Sequence, residues 1–215
     1  LKNDIVINND LLYRIDKESG EPSDASGSIV CWTPIPKRWN TINLNGDDHT
    51  ISGLYINESG KAGLYASLKQ GSFKNLIITD SFVKGGDNVG VLSGDGLYNS
   101  SLSADNVKIE NTIVRGENYV GGLFGSYENN VYEMKYTITN CTVGSDVTVT
   151  GTGDRVGGIA SECRGTILYS SSAATVTGKN FVGGVVGYAG GVARIWYCHN
   201  DGTVKGETSV GGVLG

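Results

Sequence analysis

A valine–glycine phrase recurs along this chain, and the recurrence limits the possible folds more than any other feature. It reads "NVGVLSG" at Asn88, "YVGGLFG" at Tyr119, "RVGGIAS" at Arg155, "FVGGVVG" at Phe181 and "SVGGVLG" at Ser209. Its valines, Val89, Val120, Val156, Val182 and Val210, are separated by 31, 36, 26 and 28 residues. A degenerate copy, "KAGLYAS", begins at Lys61. One glycine turn of this kind can cradle a dinucleotide, but that turn is needed once and must open a helix. A phrase that returns at intervals in the twenties and thirties, and tolerates insertions, marks a solenoid whose units bury their apolar faces against one another.

Each unit holds more than the phrase. A second valine lies two residues ahead of a glycine at Val83, Val114, Val149, Val176 and Val204, with Lys, Arg or Thr between. Further upstream stand short alternating segments: "NLIIT" at Asn75, "NVKIE" at Asn106, "YTITN" at Tyr136, "TILYS" at Thr166 and "RIWYC" at Arg194. Alternation of apolar and polar residues is the mark of a strand with one buried face. Val, Ile, Thr and Tyr dominate, and glycine, at 33 of 215 residues, is too frequent for helix interiors. No leucine spacing with a helix appears, and the unit is shorter than a propeller blade. The pattern predicts an all-β chain, a parallel β-helix of about five to seven coils, right-handed by the crossover rule. The paired glycines are expected to serve either positive φ or close backbone approach. Residues 1–60 are expected to supply N-terminal capping strands and a loop, and residues 61–215 the repeats. Because the last phrase ends inside a unit, the repeats are expected to continue past Gly215, or this end to be covered by another chain. "CWTPIPKRW" suits either a cap on the first coil or a surface loop.

Composition narrows the function. The net charge of −5, with no basic run, provides no electrostatic footprint for nucleic acid. The most apolar stretch contains Arg194 and is too short to span a bilayer. His49 and His199 have no spaced metal-ligand partners, and Asp47 and Asp48 in "NGDDHT" form an acidic turn that only weakly suggests calcium. Cys31, Cys141, Cys163 and Cys198 are irregularly spaced and are expected to be free thiols. Cys141 and Cys198, with Ser170 between them, are expected two coils apart, beyond disulfide reach. No acidic column is legible: Glu110 is aligned with Cys141, Ser170 and Cys198. An enzyme is therefore not expected, and no cofactor is implied.

The phrases "YVGGLFG", "FVGGVVG" and "SVGGVLG", with "CHNDGTVKG" ahead of the last, resemble the GLUG-motif repeats of large bacterial surface proteins. "NGDDHTISGLYI" resembles the segment that leads into such repeats, so the likeness covers residues 32–215. It implies a secreted or cell-surface, adhesin-like protein, in some cases carrying separate peptidase domains, and it transfers no catalytic residue.

Candidate binding residues follow from alternation. The residue before each phrase valine should point outward, giving the column Asn88, Tyr119, Arg155, Phe181 and Ser209. In this reading Arg155 lies between the rings of Tyr119 and Phe181. Trp196, outward above Leu168, would add a second apolar strip. Tyr119, Arg155, Phe181 and Trp196 are thus the expected ligand-facing residues of a non-catalytic surface module that binds a glycan or a surface protein. The alternative is a carbohydrate-active β-helix with its site in an irregular loop such as "SYENNVYEMKY" at Ser126.

Overall fold

A computed structural model describes residues 1–23, 28–127 and 136–215. The chain forms a parallel β-solenoid of about six coils. Three stacked sheets make its sides. The largest has 14 strands and includes the long strands Tyr65–Thr79 and Ser93–Ile109, which bend around the solenoid. A six-stranded sheet stacks Tyr55–Asn57, Ser81–Lys84, Thr112–Gly116, Thr148–Gly151, Thr175–Thr177 and Val204–Lys205. A four-stranded sheet stacks Val120–Gly121, Val156–Gly157, Asn180–Gly183 and Thr208–Gly211.

Both valine ladders exist in register. Val120, Val156, Val182 and Val210 pair coil on coil, and bridges extend the column through Val89 to Ala62. The second ladder runs Ile56, Val83, Val114, Val149, Val176 and Val204. The inner members are fully buried, and each such valine is worth about 1.5–3 kcal/mol. The two members in the last coil depart from the expectation of burial: Val210 is 45% exposed and Val204 half-buried, each being paired on one side only among the described residues.

The first sixty residues take part in the same stack. Arg38–Asn45 and Thr50–Ser52 pair with Tyr65–Thr79, and Ile5–Val6 pairs with Ile51 and Ser52. Cys31 bridges to Tyr55 and Ile35 to Tyr65, while the indole N–H of Trp32 donates to the Leu64 carbonyl at 3.3 Å. The segment from Cys31 to Ile35 therefore lies against the first coil. Trp39 projects, 61% exposed, with the Lys37 ammonium 4.5 Å from its ring centroid. A one-turn helix, Leu11–Arg14, wraps the side, where Leu11, Leu12 and Ile15 join Tyr55, Phe82 and Ile113 in a small second core. Asp80 accepts the Leu11 N–H at 2.8 Å, satisfying one of the unpaired donors that open any helix.

The glycines of the phrase serve close approach. None of the paired glycines has positive φ. A β-carbon on Gly158 would lie 2.0 Å from the Gly184 carbonyl oxygen, and one on Gly184 would lie 2.1 Å from that of Gly212. The turn is made instead by the residue before each valine.

Candidate functional site

Each glycine corner is built from a three-residue unit with separate tasks. The first position stacks Asp87, Asn118, Asp154, Asn180 and Thr208. Asn118 Nδ2 donates to Asp87 Oδ1 at 2.9 Å, the Asp154 N–H to Asn118 Oδ1 at 2.8 Å, and Asn180 Nδ2 to Asp154 Oδ1 at 2.8 Å. Thr208 Oγ1 closes the ladder on Asn180. The third position is the ladder valine, buried in every coil but the last. The middle position is left-handed in every one of these coils: Asn88, Tyr119, Arg155, Phe181 and Ser209 have φ of 64, 57, 60, 55 and 50°. That conformation costs an ordinary L-residue about 1–2 kcal/mol; Asn tolerates it, and bulky residues adopt it rarely. The flanking positions are thus fixed by the ladder and the core, and the middle one varies while facing out.

Three of the four candidates read from the sequence gather on this corner. The Arg155 guanidinium lies 5.2 Å from the Tyr119 ring centroid. Its second ring is Tyr188, at 4.5 Å, and not Phe181 as alternation suggested. Phe181 packs edge-on against Tyr188, with centroids 5.7 Å apart and planes at 85°. Tyr188 enters because the strand Val186–Ala189 folds back beside the corner and sets it in register with Glu162. Tyr119, Arg155, Tyr188 and Phe181 form one half-buried strip along the solenoid side.

Beneath this strip is a carboxylate that the sequence reading did not single out. Arg155 Nη1 contacts Glu162 Oε1, and Glu162 is 4% exposed. Burial pushes the Glu162 carboxyl above its ordinary range, with the charges of Arg155 and Arg164 opposing that rise. Asp95, equally buried, is met by the Lys61 ammonium. Through the pairings of Asp95 with Ser126 and of Phe124 with Ala160, the two carboxylates share a column two coils apart, about 10 Å at ordinary strand spacing. Ser126 stands between them, and both carboxylates are buried and met by cations. Arg155, seven residues ahead of Glu162, was the available signal.

Alignment of the upstream segments also needs correction. Asn140 pairs with the coil that holds Asn106, since Thr139 is opposite Asp105. Cys141 therefore stacks with Val107, and Glu110 does not share its column. The corner asparagines mark the true register, whereas alternation alone aligns Glu110 with Cys141. Cys141, Ser170 and Cys198 do stack as expected. All four cysteines are free. Burial pushes the Cys141 thiol up to about 12 and the Cys163 thiol up to about 11.

Trp196 stands apart from the strip, on another corner, in register with Leu168 and 57% exposed. Of the loop "SYENNVYEMKY", residues 128–135 lie outside the described residues. Among the described residues no three His, Cys, Asp or Glu side chains converge, and no helix is long and apolar enough to cross a membrane.

No family model matches the chain. Over 93 residues it is 39% identical to Halomucin of Haloquadratum walsbyi, a match covering 42% of this chain and 1% of that protein. The chain thus spans a very small part of the relative that it matches. A crystal structure of a candidate immunoglobulin A1 protease from Bacteroides ovatus superposes with a TM-score of 0.55, covering 77% of this chain and 58% of the other at 19% identity. That likeness shows the solenoid fold.

Proposed function

We propose that this chain is a non-catalytic surface module of adhesin type, which binds a glycan or a surface protein along the side of its solenoid. One observation carries the reading. At a corner where Asn or Gly would fit without strain, three successive coils hold Tyr119, Arg155 and Phe181 at positive φ. Strain of this kind persists where the surrounding structure enforces it, and it clusters at functional sites. The hydrogen-bonded ladder and the valine column hold those side chains in one row, so binding here needs little further ordering. The GLUG-like phrasing supports an extracellular or cell-surface setting and membership of that repeat group.

The test is a glycan and surface-protein binding screen on the intact chain, with a polysaccharide hydrolysis assay run alongside. Any ligand found is then titrated against Tyr119→Ala and Phe181→Ala. A loss of affinity of roughly three- to tenfold per ring removed is expected. Unchanged binding of every ligand by both variants, or turnover of a polysaccharide, would overturn the proposal.

A further inference from the structure

A second corner of the solenoid carries its own control. In one column, Asn75, Asn106, Asn140, Tyr169 and Tyr197 all take the left-handed conformation, with φ of 49, 52, 54, 50 and 55°. The first three are asparagines, the residue that best tolerates this backbone after glycine. Their side chains close a polar ladder. Asn75 Nδ2 donates to Asn45 Oδ1 at 3.2 Å, Asn106 Nδ2 to Asn75 Oδ1 at 3.0 Å, and Asn140 Nδ2 to Asp105 Oδ1 at 3.0 Å. The fold is thus fully served at this corner by asparagine.

In the last two coils the same backbone holds tyrosine. Tyr169 and Tyr197 stack with centroids 4.9 Å apart and planes 5° from parallel, and they are 58% and 73% exposed. The preceding column changes in the same two coils, from Lys74, Asp105 and Thr139 to Leu168 and Trp196. An ordered polar corner becomes an exposed aromatic one, and left-handed strain is retained to do it. Nothing in the core requires this, because none of the three rings is buried.

The charge beside the patch selects a ligand. Arg194 lies on the same exposed face of the strand Arg194–Trp196 as the indole, and among the described residues its guanidinium has no hydrogen-bond or ion-pair partner. The neighbouring carboxylate, Asp201, is 3.5 Å from His199 Nε2. Flat rings with open faces suit the C–H face of a pyranose, and an unengaged planar guanidinium suits a carboxylate, which it binds in two-pronged fashion. Tyrosine hydroxyls and His199 supply hydrogen bonds to sugar hydroxyls.

We infer that Tyr169, Tyr197 and Trp196, with Arg194, form a binding site for an acidic saccharide: rings stack on the sugar, and Arg194 pairs with its carboxylate. This site stands independently of the Tyr119–Phe181 strip. Titration of the intact chain with an oligomer of galacturonic acid, and with its methyl-esterified neutral counterpart, tests it by calorimetry and by tryptophan fluorescence. Saturable binding of the acidic oligomer is expected, with a weaker response to the neutral one. Tyr169→Asn/Tyr197→Asn restores the residue that the corner already uses in other coils, so the variant should fold and should lose roughly tenfold or more in affinity. Arg194→Gln should remove the preference for the acidic oligomer while leaving the neutral response. Failure of the acidic oligomer to bind at millimolar concentrations, equal binding of both oligomers by the wild-type chain, or undiminished affinity in the double tyrosine variant would each overturn the assignment.

Discussion

Gly158→Ala should destabilise the solenoid substantially, and Gly212→Ala should not, although both replace the second glycine of the same phrase. A methyl group on Gly158 would lie 2.0 Å from the Gly184 carbonyl oxygen and 2.3 Å from Ser172 Oγ. Real contacts to a β-carbon stay above about 3 Å, so the adjacent coil must move by about 1 Å, and a backbone oxygen cannot swing aside. The coil-to-coil bonds from the Gly158 N–H to the Gly183 carbonyl at 3.2 Å, and from the Ile159 N–H to the Val185 carbonyl at 2.9 Å, hold that spacing. Overpacking of this kind costs about 1–3 kcal/mol, and weakening one such bond adds about 0.5–1.5 kcal/mol. The sum of about 1.5–4.5 kcal/mol should lower the melting temperature by roughly 3–18 °C in a chain of this size. At Gly212 nothing lies within 4 Å of the added carbon, and its φ is not in the left-handed region, so alanine there should be neutral or stabilising by about 0.4–1 kcal/mol. Thermal melts by circular dichroism, with hydrogen exchange at the Ile159 and Val185 amides to catch local opening, would compare the pair. Equal effects of the two substitutions would show that the glycines act through backbone freedom and not through coil contact.

The valine ladder makes a graded prediction: Val182→Ala should cost about 2–3 kcal/mol and Val210→Ala under about 1 kcal/mol, because the first is fully buried and the second 45% exposed; equal urea midpoint shifts would contradict the stacking. Glu162 should leave a pH signature. Burial raises its folded-state carboxyl above the ordinary value of 4.5, so the native state holds the proton more tightly than the unfolded chain, and this group's contribution to stability rises as pH falls through its folded range. Glu162→Gln should remove that component, seen as a difference in the pH dependence of urea midpoints between wild type and variant; a difference of opposite sign would mean that the Arg155 pair outweighs burial. Thiol titration should find four sulfhydryls after denaturation and rapid reaction of Cys31 in the native chain, with Cys141 and Cys163 slow; fewer than four would reveal a disulfide.

The sequence by itself determined the all-β solenoid, both valine ladders and the approximate coil count. Those features are local patterns repeated at an interval, and parallel stacking turns equal positions in successive units into neighbours. It also located the outward column through Tyr119, Arg155 and Phe181, which alternation placed outward although a left-handed turn at those residues is what the backbone adopts. Tertiary structure decided how the corners work. The turn falls on the residue before the valine, and the glycines answer to a carbonyl one coil away, a contact between residues 26 apart that no local pattern displays. It also decided that Arg155 meets Tyr188 and Glu162 rather than Phe181, because a strand returning beside the corner brings residues seven and thirty-three positions away to the guanidinium. The repeat alignment already sets Tyr169 level with Tyr197, but that both stand at a left-handed corner held by asparagine in the earlier coils emerged only from the backbone register. At this corner two residues separate one strand from the next, and alternation alone carries no count across them.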